Sequence, residues 1–508
     1  MIPVAVLTLR HGISTPLPAL VNDDSIVHPL QHPGLPSALS AKELKKYKGF
    51  NDFLRARNKN SQLASKHKIK SGLIRAAFYV DWDPQAFFSL QKNIDQLNMV
   101  FPEWLFIDPR TDTLQVKIDS SALAVMQSTK IKILPLVNNI NDELGEGSFD
   151  GNILHRILHN PAKKERLISD LLKVVETYHF QGINIDFEEF KENSDEPIIA
   201  FQKELADKFH AKGLLVTQDV MAGNSDFNYS KLAAHNDYMI LMAYDEHYST
   251  SIPGAVGSQQ WIEKMLDQAA ADIPSDKIIL GVAGYGYDWP NGAEATTVTY
   301  QQALANAAQY KAAIYFDNNS YSNSYQYTDA NKVSHEVYFN DAAGNFNTLR
   351  FSDEYGVAGT ALWRMGSEDE RLWKFYSRNL SNDSLAAHPF DLTQLEKVET
   401  PVQNPDYIGD GEVLNVVTAP QPGLLHIEMD STEHLISEQK YLQLPTKYVI
   451  RKYGNVKNQV LLSFDDGPDE DYTPRILDIL KKEKVPAVFF VVGLEAEKNL
   501  PLLKRIYQ

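Results

Sequence analysis

The stretch Phe180–Glu189, FQGINIDFEE, decides the reading of this chain. Asn184, Asp186 and Glu188 stand two residues apart. On a β-strand that spacing turns all three side chains to one face, about 6–7 Å from each to the next. Ile183, Ile185 and Phe187 fill the opposite face. A polar, acidic stripe on an otherwise apolar strand is costly to bury unless it performs chemistry. Closely spaced carboxylates oppose each other's ionisation, so one of them keeps its proton near neutral pH. A carboxyl group in that state can donate a proton to a leaving oxygen. The competing reading is a half-buried strand whose acidic end is simply solvated.

Working outward, apolar strand-like runs alternate with helix-like segments from Leu73 onward. The candidate strands are Ile74–Asp81, Asn98–Phe101, Ile131–Val137, Gly182–Glu188, Leu214–Val220, Tyr238–Asp245, Ile278–Tyr285 and Val357–Arg364. Amphipathic stretches such as Lys164–Tyr178 and Pro197–Ala211 lie between them. Eight β–α repeats in about 300 residues imply an α/β fold in which a parallel sheet closes as a (β/α)8 TIM barrel. Polar residues gather at the C-terminal ends of these strands: Asp81, Glu188, Asp219, Asp245 and Arg364. Active sites of such barrels lie at that end. A Tyr-, Asn-, Thr- and Ser-rich segment at about 288–341 interrupts the last repeat and reads as a small α+β insertion walling one side of the cleft.

Composition narrows the function classes. The 508 residues contain no cysteine, which excludes disulfides and thiolate sites, and 43% are hydrophobic, enough for large cores. The net charge of −17 is unevenly spread, because residues 41–70 hold ten Lys/Arg against two acids. The remainder is strongly acidic and a poor nucleic-acid binder. The basic run suits an anionic membrane surface, and a solvated linker or helix face explains it equally well. Residues 1–72 read as a flexible lead-in, Pro-rich and then basic. No apolar stretch is long enough to span a bilayer.

Gly182, Asp186, Phe187 and Glu188 resemble the active-site strand of family 18 glycoside hydrolases, whose motif reads Asp-Gly-x-Asp-x-Asp-x-Glu. Gln181 stands at the first Asp and Asn184 at the second, and the latter is similar to the branch acting on bacterial cell-wall glycans. The resemblance runs from about Ile74 to Tyr376, through MAYD at 242–245 and ALWRM at 361–365. It implies substrate-assisted retention, in which Glu188 is the acid, Asp186 holds the substrate acetamide, Tyr244 positions the acetamido oxygen and Asn184 hydrogen-bonds Asp186. Since Asn184 cannot ionise, Asp186 is expected to lack a carboxylate neighbour. Trp363, Asp245, Met242 and Asp81 are the expected substrate-binding residues. No cofactor is expected for the hydrolase, and His335–Glu336 has no third ligand at metal spacing. The implied partner is an N-acetylglucosamine-containing polysaccharide, peptidoglycan or an exported polymer rather than chitin. The rival reading is a non-catalytic barrel that guides a glycan to a membrane synthase.

Residues 383–455 read as a linker and small β-rich connector. Beyond them Val460–Pro468, VLLSFDDGP, resembles the first motif of NodB-like polysaccharide deacetylases. The resemblance implies Asp465 as catalytic base and Asp466 as ligand to a divalent metal, with two histidines from a later motif. The last histidine is His434, so residues 456–508 are expected to be a truncated, metal-free and inactive deacetylase start. This order of parts resembles bacterial fusions that continue into a membrane-spanning family 2 glycosyltransferase. That architecture implies a membrane-tethered protein of the bacterial cell envelope.

Overall fold

The computed structural model describes residues 72–508 apart from 146, 192–195, 401–404, 412 and 455–459. The Pro-rich and basic lead-in lies outside the described residues. Those residues fall into two compact units, one reaching to Asp406 and including Val417–Val449, the other comprising Tyr407–Val416 and Ile450–Gln508.

The larger unit is a closed barrel of eight parallel strands. In chain order they are β1 (Ile74–Tyr79), β2 (Met99–Ile107), β3 (Leu136–Asn138), β4 (Gly182–Asp186), β5 (Leu215–Met221), β6 (Tyr238–Met242), β7 (Ile278–Ala283) and β8 (Gly359–Trp363). Each pairs with the next, and β8 closes on β1 through Ile74↔Gly359 and Ala77↔Leu362. Eight strands enclose a bore that side chains fill. Ala76, Phe78, Met99, Phe101, Leu136, Ile240, Ile279 and Ala361 pack it as one apolar cluster. The alternate residues point outward; Phe187, following β4, meets Phe201 of helix Glu196–His210 at 5.7 Å between ring centroids.

Local signals place the outer helices. Pro161–Tyr178 starts on Asn160, whose side chain accepts from the amides of Ala162 and Lys163, with Pro161 in the first turn where a missing N–H costs nothing. His179, at φ 57°, ends it in the left-handed conformation and returns the chain into β4. Gln181 then stitches β4 to its neighbour, since the Ile133 amide donates to Gln181 Oε1 at 2.9 Å.

The insertion between β7 and β8 begins earlier than expected, at Tyr285. It is a five-stranded antiparallel sheet, ordered Thr296–Thr299, Tyr285–Pro290, Ser334–Phe339, Ser322–Thr328, Tyr315–Asp317, with helix Tyr300–Tyr310. The region after the barrel does not form one module. Lys397–Val398, Gly423–Met429 and Ile436–Gln443 make a sheet belonging to the larger unit. Asn347, on helix Ala342–Tyr355, exchanges two hydrogen bonds with Ile436 (2.8 and 2.7 Å), and Gln439 donates to buried Asp341 at 2.7 Å. In the smaller unit, parallel strands Leu462–Gly467 and Ala487–Val491 flank helix Thr473–Glu483. No helix among the described residues is long and apolar enough to cross a membrane.

A buried ion pair ties the β1–β8 seam to the outer layer. Arg75 Nη2 lies 2.6 Å from Asp353 Oδ2, with side chains only 3% and 1% exposed, and also donates to the Arg378 carbonyl. Removing one partner leaves an uncompensated charge in the interior. Asp353→Ala is therefore expected to lose about 3–5 kcal/mol in urea denaturation; an unchanged midpoint would contradict this assignment.

Candidate active site

The side chains at the C-terminal mouth of the barrel are set by how closely β4 approaches β5. A Cβ on Gly182 would lie 2.2 Å from the Leu215 carbonyl oxygen, so only glycine permits this approach. The strands run in register, Asn184 beside Thr217 and Ile185 beside Gln218. One residue further on, the same register sets Asp186 opposite Asp219, both on the inward face. Asn184, Asp186 and Asp219 are all buried.

The register corrects one expectation. Asn184 does not hold Asp186; its amide donates to Asp219 Oδ2 at 2.7 Å, and its carbonyl oxygen accepts from Thr217 Oγ1 at 2.7 Å. Asn184 is level with Thr217, and its amide reaches diagonally to Asp219, two residues further along β5. The expectation that Asp186 lacks a carboxylate neighbour also fails, because Asp219 supplies one from β5. Oδ1 of Asp186 and Oδ1 of Asp219 are both buried without a protein hydrogen-bond partner.

Glu188 lies just past β4, partly buried, and its backbone is clamped. Its amide donates to Asn139 Oδ1 and its carbonyl accepts from Asn139 Nδ2, both at 3.0 Å. Gly151 lets the following turn close, since a Cβ there would fall 1.8 Å from the Glu189 oxygen. Glu189 itself points into solvent at φ 57°.

The charges acting on Asp186, Asp219 and Glu188 are those of neighbouring acids, and Arg364 acts on Glu103 beside them. Burial, then Glu188, Asp219 and Glu103, hold the Asp186 carboxyl well above the usual carboxylate range. Asp219 is raised by burial and by Glu188, against the Asn184 hydrogen bond. Glu188 is pushed up to about 7, chiefly by burial and then by Glu189 and Asp245. Glu103, on β2, is raised by burial; it accepts from Trp82 Nε1 at 2.9 Å and from Asn138 Nδ2 at 3.0 Å.

Aromatic rings line the opposite wall. Tyr244 and Trp363 lie nearly parallel, 18° apart with centroids at 6.4 Å, and Phe78 meets Trp363 edge-on at 5.1 Å. Trp363 precedes a cis peptide to Arg364. Burial and the neighbouring carboxylates keep the Tyr244 phenol protonated. Asp245, at φ 60°, accepts from Tyr285 at 2.5 Å and from Tyr287 at 3.0 Å, which joins the insertion to the rim. Exposed Trp82 stacks on the Arg364 guanidinium, 4.0 Å from ring centroid to Cζ.

Of the residues expected from sequence, Asn184, Asp186, Glu188, Tyr244, Asp245 and Trp363 converge on this mouth. Met242 ends β6 beside Met221 and Gly281, and Asp81 is exposed in the bend after β1. Sequence reasoning left Asp219 without a role and missed Glu103, Asn139, Tyr285 and Tyr287. The parity of Thr217 and Asp219 on β5, matching Asn184 and Asp186 on β4, is the signal that could have found Asp219. His335 is held by Asp288, Nδ1 to Oδ1 at 2.7 Å, inside the insertion. Asp465 and Asp466 stand exposed at the end of their strand in the smaller unit. Among the described residues no group of three or more His, Asp or Glu side chains could hold a metal.

Residues 75–369 match the family model described as "Glycosyl hydrolases family 18", more than half of the sequence. The chain belongs to glycosyl hydrolase family 18. Residues 452–508 match "Polysaccharide deacetylase". The family 18 barrel is similar to a chitinase from Chromobacterium violaceum ATCC 12472, at 25% identity and a TM-score of 0.56 over 61% of this chain and 99% of that one. It is 26% identical over 282 residues to the cortical fragment-lytic enzyme of Bacillus subtilis (strain 168), covering 53% of this chain and 64% of that relative, under two thirds of its length. Fifty residues are 54% identical to a peptidoglycan-N-acetylglucosamine deacetylase of Bacillus cereus (strain ATCC 14579), 10% of this chain and 18% of that protein.

A raised carboxyl pKa in the fold is also a stability statement. Below about pH 4 Glu188 is protonated whether the chain is folded or unfolded. As pH rises toward 7 the unfolded chain releases that proton while folded Glu188 keeps it, so stability falls and then levels off above about 7. Glu188→Gln is expected to stabilise the fold by about 3 kcal/mol at pH 8 and to change little at pH 4. Equal stabilisation at both pH values in thermal or urea unfolding would contradict the raised pKa.

Proposed function

We propose that this family 18 chain cleaves β-1,4-linked N-acetylglucosamine-containing glycans of the bacterial cell wall, with retention and with the substrate's acetamide as nucleophile. The observation that carries this reading is the placing of Glu188 and buried Asp186 together at one barrel mouth, where burial and neighbouring acids push Glu188 up to about 7. A carboxyl poised near the working pH suits a group that must give a proton and later take one back.

Glu188 protonates the glycosidic oxygen. The acetamido oxygen attacks the anomeric carbon as the bond to the leaving sugar breaks, giving an oxazolinium cation. Asp186 accepts the acetamido N–H and its negative charge offsets the cation. The Tyr244 hydroxyl donates to the acetamido oxygen and sets the attack angle. Trp363 floors the cleaved sugar, its π-face against the ring's C–H bonds, with Met242 and Asp245 at the rim and Asp81 further out. Water then adds at the anomeric carbon, returning its proton to Glu188.

Peptidoglycan is favoured as the substrate because two separate parts of the chain resemble proteins whose names point there, a cortical fragment-lytic enzyme and a peptidoglycan-N-acetylglucosamine deacetylase. The same likenesses support action in the cell envelope. No deacetylation step is assigned to Asp465 or Asp466.

The test is release of reducing ends from N-acetylglucosamine oligomers and from peptidoglycan. Glu188→Gln is expected to lower turnover by about 10²–10⁴-fold while oligomer binding persists. In the wild type, kcat/KM is expected to fall as pH rises above about 7, where Glu188 loses its proton. Binding by both proteins with turnover by neither would sink the hydrolase and leave a glycan-guiding barrel.

A further inference from the structure

Asn184 breaks the acidic stripe of β4, yet the neighbouring strand returns a carboxylate opposite Asp186. We propose that Asp219 is a positioning residue for the reaction: it shares one proton with Asp186 and takes that proton when Asp186 must carry negative charge. The proposal rests on the hydrolytic reading above.

Three observations carry it. The register of β4 and β5 sets the two aspartates opposite one another on the inward face. Each has one buried oxygen, Oδ1, with no protein partner, and two carboxylates enclosed together satisfy such oxygens by a proton held between them. Asn184 fixes the other oxygen of Asp219 by donating to Oδ2, while Thr217 fixes the Asn184 carbonyl, so the amide cannot flip. An amide at position 184 is therefore a device for aiming Asp219, not a lost acid.

The groups facing the pair come from every side of the mouth. Glu188 follows β4, Glu103 rises from β2, and Tyr244 follows β6. Asp245 and Glu189 act on Glu188. All of these acids disfavour a second negative charge, so the pair carries one proton and a net charge of −1 in the free enzyme. When the oxazolinium cation forms, the proton moves from Asp186 to Asp219. Asp186 becomes the carboxylate facing the cation, Asp219 becomes the neutral acid, and the pair's net charge is unchanged. The reaction thereby gains a counter-charge without bringing a second anion into the barrel.

The experiment compares wild type, Asp219→Asn and the double exchange Asn184→Asp with Asp219→Asn. The double variant swaps acid and amide across the same hydrogen bond and keeps the side-chain volumes. Asp219→Asn is expected to lower kcat by about a hundredfold, as loss of a preorganised electrostatic contact does, with KM within about twofold if ground-state binding is untouched. Its pH profile shifts, because Asp186 then titrates alone and not as one of a coupled pair. The double exchange is expected to recover at least a tenth of wild-type kcat and the wild-type pH profile. A kcat and profile unaltered in Asp219→Asn, or a double variant no better than the single one, would overturn the proposal.

A second readout needs no turnover. In protein labelled with ¹³C at the Asp carboxyls, wild type is expected to show two resonances that titrate together well above the usual carboxylate range. Asp219→Asn and Asp186→Asn should each move the remaining one down. A high-titrating resonance in Asp219→Asn that matches wild type would overturn the proton sharing. Absence of turnover in wild type with the coupled titration intact would remove the hydrolase reading and leave the shared proton standing.

Discussion

Burial of Asp186, Asp219 and Glu188 in one barrel mouth, each beside other acids, is the constraint on which the site depends. Isolated carboxylates cannot remain ionised out of water at acceptable cost, so they keep protons that exposed acids would lose. That shift costs the fold stability near neutral pH and leaves a proton available at the barrel mouth. Holding the acids there falls to groups that do not react. Gly182 allows the strand approach, Thr217 and Asn184 fix Asp219, and Asn139 clamps the Glu188 backbone.

The rest of the larger unit makes this mouth rigid. Phe78, Phe101, Leu136 and Ile240 fill the bore beneath it, so the inward acids cannot sink or tilt without opening a cavity. The insertion reaches the rim through the Tyr285 and Tyr287 hydroxyls on Asp245, which holds a left-handed backbone that its surroundings must maintain. The sheet that follows the barrel is fixed to the same body by buried polar contacts, Gln439 and Tyr441 on Asp341. Glycan binding therefore meets a preformed surface, and the binding energy is free to act on the reacting bond.

Much of this was legible in the sequence because strand parity is local. The two-residue spacing of Asn184, Asp186 and Glu188 placed them on one face, and the eight apolar runs gave the barrel. What was not legible depends on contacts between strands. Asn184 looked like the partner of Asp186 because they are close in sequence, but its amide reaches diagonally across to Asp219 on β5 instead. Glu103 sits in the run Met99–Ile107, whose apolar neighbours hid one inward acid. Asn139 follows a three-residue strand too short to show a period. The segment from Ile436 to Gln443 is mostly polar like a surface strand, and its buried Gln439 is explained by Asn323 and by Asp341, 98 positions earlier.

The most direct measurement is the anomeric configuration of the first product released from an N-acetylglucosamine oligomer, read by proton NMR before mutarotation. Substrate-assisted cleavage inverts the anomeric carbon twice, once on attack by the acetamide and once on attack by water. The account predicts the β-anomer as first product. An initial α-anomer would mean direct displacement by water, and would contradict the roles assigned to Asp186, Asp219 and Glu188.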